Sequence, residues 1–137
     1  MTMADAGYSG TPLVKKLGIK SGLSVSLVGA PDGFEKLLKG LPNDVTPVRG
    51  GSAAADLIIW WPASAKDLLS RVQKIEQRLK PGGSVWIAWA KKASGVKTDL
   101  GDALVRETGL AHGLVDYKVC AIDATWSGLK FARRKSV

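Results

Sequence analysis

One cysteine and one histidine in 137 residues remove several chemistries at the outset. A lone thiol, Cys120, cannot close an internal disulfide, which fits a reducing compartment. With a single thiol and a single imidazole, no zinc site is expected. His112 is accompanied by no Gly-x-Ser-x-Gly elbow, and neither a P-loop nor a Gly-x-Gly-x-x-Gly fingerprint occurs. Long apolar runs are missing too: none approaches the about 20 residues of a membrane span. The opening Met-Thr-Met-Ala-Asp-Ala-Gly has no apolar centre of the kind a signal peptide needs. The expectation is a cytoplasmic protein with no membrane partner. Acid is scarce as well. Asp+Glu number 12 against Lys+Arg 20, a formal charge of +8, which points to an anionic partner. The basic residues are spread out, with clusters only at Lys15-Lys16, Lys91-Lys92 and Arg133-Arg134-Lys135. Aromatic content is 7% and no recognisable nucleic-acid motif appears, so nucleic acid is not the favoured partner on charge alone.

What is present is an ordinary globular composition, 45% hydrophobic and 23% charged, of a length that suits one domain. Residues 1–10 read as a tail and 11–137 as a single domain. Thr11, Pro12 and Gly18 frame a short helix as N-cap, first helical residue and terminator. Ser24–Val28 reads as a first strand. Asp32 with Glu35 forms a capping box for a helix over 33–39. Val45–Val48 reads as a strand, and Pro47 places it at an edge. Asp56–Trp61 is a nearly continuous apolar run, as in a parallel strand covered on both faces. Ser64 and Asp67 then start a helix carrying Leu68, Leu69, Val72, Ile75 and Leu79 at helical spacing. Pro81-Gly82-Gly83 is expected to end it. Ser84–Trp89 is the next buried strand. Asp99 is placed to cap a helix running to Thr108, with Leu100, Ala103 and Leu104 inward and Gly109 as terminator. Two strands, Val115–Ile122 and Trp126–Arg133, close the chain as an antiparallel hairpin. Cys120 lies in the apolar stretch Val119–Ile122 and reads as a small buried hydrophobe. The pattern is an α/β fold with a mostly parallel sheet, helices on both faces and a C-terminal antiparallel hairpin.

The unit Asp56-Leu-Ile-Ile-Trp-Trp61, a helix, and then Leu79-Lys-Pro-Gly-Gly-Ser-Val-Trp-Ile87 resembles the Rossmann-like fold of S-adenosylmethionine-dependent methyltransferases, whose sheet also ends in a reversed hairpin. In that superfamily a Gly-x-Gly loop follows the first strand, and an acid after the second holds the ribose hydroxyls. Here those places hold Gly29-Ala30-Pro31-Asp32-Gly33 and Arg49. The resemblance therefore implies a cut-down architecture from which the cofactor site has been lost. No cofactor is expected, and S-adenosylmethionine is the one the resemblance leaves to test. A second likeness covers nearly the whole chain. The segments Gly7-Tyr-Ser-Gly-Thr-Pro-Leu13, Lys15-Lys-Leu-Gly-Ile-Lys20, Ala30-Pro-Asp-Gly-Phe34, Lys91-Lys-Ala-Ser-Gly-Val96 and Val119-Cys-Ala-Ile-Asp-Ala-Thr-Trp-Ser-Gly-Leu129 resemble a family of small bacterial proteins of unknown function. That likeness implies a stand-alone bacterial protein and no particular activity.

In an open parallel sheet, ligands bind beyond the carboxyl ends of the strands, near the point where strand order reverses. The loops 29–34, 61–64 and 90–99 should meet there. The candidate ligand-binding residues are Gly29, Asp32 and Gly33 from the first loop and Lys91, Lys92, Ser94 and Gly95 from the third. Their ammonium groups, hydroxyl and glycine-permitted N–H groups suit a small phosphate or carboxylate. Trp60, Trp61 and Trp89 are expected in the core, an exposed ring being the alternative. Tyr8-Ser9-Gly10-Thr11 is a candidate to fold over the same side. No catalytic residue is assigned. The leading expectation is a non-catalytic binding module for a small anionic ligand or a protein partner. A methyltransferase-like transferase and a nucleic-acid-binding protein are the alternatives.

Overall fold

A computed structural model describes residues 11–134. The expected tail, 1–10, and Lys135 fall outside the described residues. Helix α1 spans Leu13–Leu17, β1 Val25–Val28, β2 Val48–Arg49, β3 Ala55–Trp60, α2 Ala65–Gln77, β4 Leu79–Ala90, α3 Asp102–Ala111, β5 Leu114–Ala121 and β6 Trp126–Arg133. The strands form one six-stranded sheet in the order β2-β1-β3-β4-β6-β5. Strands β1 to β4 pair parallel, and β6 runs antiparallel to both β4 and β5. The fold is thus the expected Rossmann-like sheet closed by a reversed hairpin. No helix among the described residues is long and apolar enough to cross a membrane.

The sheet buries both faces, which is why β3 and β4 read as near-continuous apolar runs. On one face Val14 and Leu17 of α1 pack with Leu27, Leu57, Ile59, Trp61 and Trp86. On the other, Leu68, Val72 and Ile75 of α2 and Val105 of α3 pack with Ile58, Trp60, Ile87 and Phe131. The buried Trp86 indole donates to the Leu17 carbonyl at 3.0 Å, anchoring the end of α1 to the sheet centre. Cys120 is buried, as expected, and burial pushes its thiol pKa up.

Several local expectations are corrected. Thr11 does not cap α1. Pro12, still extended at ψ 143°, flanks the helix, and no side chain bonds to its first turn. Asp32 forms no cap either: Gly33 turns the chain at φ 77° and only a 3₁₀ turn, Phe34–Leu37, follows. Glu35 is drawn to Arg49 instead of back toward Asp32, so the capping box has no second half. Strand β2 falls later than expected, at Val48–Arg49, although it does lie at the edge.

Ser64 caps α2 as predicted, accepting the Asp67 N–H at 3.1 Å. Leu69, however, is 55% exposed, and Leu79 belongs to β4. The helix stops at Gln77, before Pro81-Gly82-Gly83, which lies inside β4. There the register passes from Ala55↔Leu79 to Leu57↔Ser84, so the Pro-Gly-Gly stretch bulges out of the ladder, where proline costs no hydrogen bond.

Asp99 caps a helix other than the one expected. Its Oδ1 accepts the Ala65 N–H at 2.8 Å, at the start of α2, while α3 begins after Gly101. Gly109 does not end α3. It lies inside the helix, facing Phe131, and a Cβ there would sit 2.4 Å from Phe131 Cε2. Gly109→Ala should therefore overpack this contact and lower stability by about 1–3 kcal/mol. The urea midpoint of the variant checks this, with the slope unchanged.

Candidate functional site

Strands β1, β3 and β4 deliver their carboxyl ends to one edge of the sheet. Strand order reverses between β1 and β3, the position at which open α/β sheets hold ligands. The loops after β1 and β3 touch there. The Trp61 N–H donates to the Val28 carbonyl at 2.8 Å. Gly29, at φ 72°, lies so close to Trp61 that a Cβ would stand 2.6 Å from the Trp61 carbonyl oxygen. The Asp99–Ala65 bond ties the loop after β4 to the helix that follows β3.

Side chains fill the space beneath these loops. The Phe34 and Trp61 rings meet edge to face, 4.6 Å apart at 71°. Both are buried, at 2% and 5% exposure, in a cluster with Leu38, Ala88 and Ile122. Trp60 and Trp89 are buried on the opposite face. All three tryptophans near the strand ends are therefore core residues.

Arg49 holds the loop after β1. Its guanidinium donates to the Ala30 carbonyl at 2.9 Å and the Pro31 carbonyl at 2.8 Å, and it grips both Glu35 oxygens at 2.6 and 2.8 Å. This side chain occupies the place where the methyltransferase resemblance calls for an acid. Asp32, Gly33 and Gly29 remain exposed on the rim. In the third loop the Lys91 N–H donates to the Thr125 carbonyl at 2.8 Å, fixing the loop against the hairpin turn. The Ser94 hydroxyl donates to the Lys91 carbonyl at 2.6 Å and accepts the Val96 N–H at 3.2 Å, so it shapes the loop from within. Lys92 and Gly95 are exposed, and Lys91 is half-buried. Thr11 lines cavities beside α1, while Tyr8-Ser9-Gly10 lie outside the described residues.

A second feature escaped the sequence reading. Lysines distant in the chain gather around α1. A groove of about 930 Å³ between α1 and the β5–β6 hairpin is lined by Lys15, Lys16, Lys20, Lys118 and Lys130, with no acid among the described residues. An adjoining cavity of about 340 Å³ shares Lys16 and Ala121 with it and adds Lys36 and Lys39. One signal was available. Counting outward from Ala121↔Ser127 at the hairpin end brings Lys118 opposite Lys130.

The Arg49 guanidinium holds the Glu35 carboxyl down at about 2, well below its usual 4.5. A lowered carboxyl pKa stabilises the folded state above the unfolded value, and that contribution is lost as pH falls from about 4.5 to about 2. Amide protection factors over residues 32–35, taken against the intrinsic exchange rate at each pH, should therefore fall across that window. Arg49→Ala should bring the Glu35 titration, followed by NMR, back toward the ordinary range and remove the acid-dependent step.

Residues 15–135 match the family described as Protein of unknown function (DUF3052). No curated protein matches the chain. Among solved structures, the chain is 16% identical to a SAM dependent methyltransferase from Aquifex aeolicus, covering 87% of this chain and 86% of that one at a TM-score of 0.62. It is 15% identical to the N-methyltransferase NodS from Bradyrhizobium japonicum WM9, over 90% of this chain and 93% of the other, TM-score 0.60. A ribosomal protein L11 methylase from Lactobacillus delbrueckii subsp. bulgaricus is 16% identical over 90% and 76%, TM-score 0.58. Likeness at these identities shows a shared methyltransferase-like fold.

Proposed function

The chain belongs to the DUF3052 family of proteins of unknown function, and we propose that it is a non-catalytic binding module built on a methyltransferase-like scaffold, taking a small anionic ligand at the carboxyl-end rim. The observation that carries this reading is the Phe34–Trp61 pair. The two rings fill the crevice at the point of strand reversal, and Gly29 is already in contact with the Trp61 backbone. An adenosyl group needs that crevice open and an acid beside it, whereas here an aromatic plug and the Arg49 guanidinium stand in those places. The residues present do not fit that cofactor. A ligand is left the surface above the plug.

On that surface, Lys91 and Lys92 supply positive charge. The turn through Ser94 and Gly95 presents backbone close to them, and Gly29, Asp32 and Gly33 form the facing rim. A phosphate or carboxylate suits two ammonium groups on a loop braced by Ser94. The fold likeness to methyltransferases supports the second reading, a transferase with an atypical cofactor loop, and one titration series separates the two.

S-adenosylmethionine and its demethylated product should give no heat at millimolar concentration in isothermal titration. Inorganic phosphate or pyrophosphate should raise Tm, by an amount equivalent to about 2.7 kcal/mol at about 100 times Kd. Lys91→Ala combined with Lys92→Ala should remove that shift. Heat from S-adenosylmethionine would favour the transferase reading. An unchanged phosphate shift in the double variant would move the anion site off these loops.

A further inference from the structure

The geometry points to the groove between α1 and the β5–β6 hairpin as a binding site for single-stranded nucleic acid, separate from the rim discussed above. Three observations converge there. The first is charge. Lys118 faces Lys130 across the antiparallel pair, an arrangement that destabilises a sheet unless something offsets it. Lys130 is offset from within: its Nζ donates to the Leu17 carbonyl at 3.2 Å and lies 5.7 Å from the Trp86 ring centroid. Lys118 is exposed, as are Lys15 and Lys20, and none of the three forms an ion pair among the described residues. The acids of the hairpin are engaged elsewhere, Asp116 with Arg106 and Asp123 with the N–H groups of Thr125 and Trp126. Among the described residues the charged side chains lining the groove are all lysines, which concentrates an anionic strand.

The second observation is a ring. Tyr117 is 56% exposed, and its hydroxyl is hydrogen-bonded to Ser84 Oγ at 3.0 Å. The Lys130 ammonium lies 5.7 Å from the Tyr117 centroid. A register shift between Asp116 and Lys118 places this ring beside Lys118 in the groove wall. A held aromatic face with flanking ammonium groups is what a base and its neighbouring phosphates require, since bases stack on aromatic side chains without regard to sequence. An acidic peptide would use the lysines and leave the ring idle. The third is size. A groove of about 930 Å³ accommodates a few nucleotides in single file, within the range of about 300–1,000 Å³ typical of small-ligand sites.

The test is fluorescence anisotropy of a labelled single strand of about 12 uridines or thymidines, with the full chain, from about 20 to about 200 mM salt. Binding should weaken with a log–log slope of about −2 to −3, for three or four phosphates at about −0.7 each. Tyr117→Ala should cost about fivefold or more, and Tyr117→Phe, which keeps the ring, should stay within about twofold. Lys20→Glu with Lys118→Glu should cost about tenfold or more. All these positions are exposed, and a thermal melt confirms that each variant is folded. Tyr117→Ala should leave the phosphate-induced Tm shift assigned to the rim intact, so that failure here and failure of the rim site are read separately. No anisotropy change at the lowest salt overturns the proposal. So do groove variants that bind like the unaltered chain, and so does a duplex or polyglutamate that competes as well as the single strand.

Discussion

The carboxyl end of this sheet is organised by how closely β1 and β3 run past Val28. The Trp61 N–H closes on the Val28 carbonyl, and the Trp61 carbonyl sits where any side chain on Gly29 would have to be. Glycine is therefore required at position 29 by the protein's own backbone. The same approach commits Trp61 to the α1 face, where Phe34 packs against it. With Phe34 buried, the chain after β1 makes a short 3₁₀ turn, and Glu35 comes within reach of Arg49. The loop after β1 is held at three points by one guanidinium.

Charge is distributed with equal consequence. Most of the acids serve local structure. Asp56 accepts both the N–H and the hydroxyl of Ser24 and pairs with Lys80, and those bonds hold its pKa down. Asp67 and Asp99 bind backbone N–H groups at the start of α2. Glu76 pairs with Arg133, joining α2 to β6. Exposed pairs of this kind contribute little stability each, but they fix where negative charge lies. In the groove between α1 and the hairpin, the charged lining among the described residues is lysine.

The methyltransferase-like scaffold gives the two proposed anion-binding surfaces separate places in so short a chain. Helices α2 and α3 cover one face of the sheet across β3 to β6, whereas the helical cover of the other face among the described residues is the five residues of α1 and a 3₁₀ turn. Among the described residues, the β5–β6 end of that second face borders a groove beside α1. The carboxyl-end rim belongs to the parallel strands, and the groove belongs to the reversed hairpin.

The sequence by itself determined the parts that depend on short-range chemistry. These are the apolar runs of β3 and β4, the Ser64 cap of α2, the edge position of β2 and the closing hairpin. Each reads correctly because burial pattern, capping and turn geometry act over a few residues. The rim loops were legible for the same reason, since they follow from strand order. Errors arose where a distant group outbid a near one. Arg49 took Glu35 from Asp32, Ala65 took Asp99 from α3, and Phe131 made Gly109 a packing site inside a helix. The aromatic plug and the lysine groove were decided only in three dimensions. Phe34 and Trp61, like Lys20 and Lys118, meet through the pairing of strands remote in the chain, and no local pattern records that meeting.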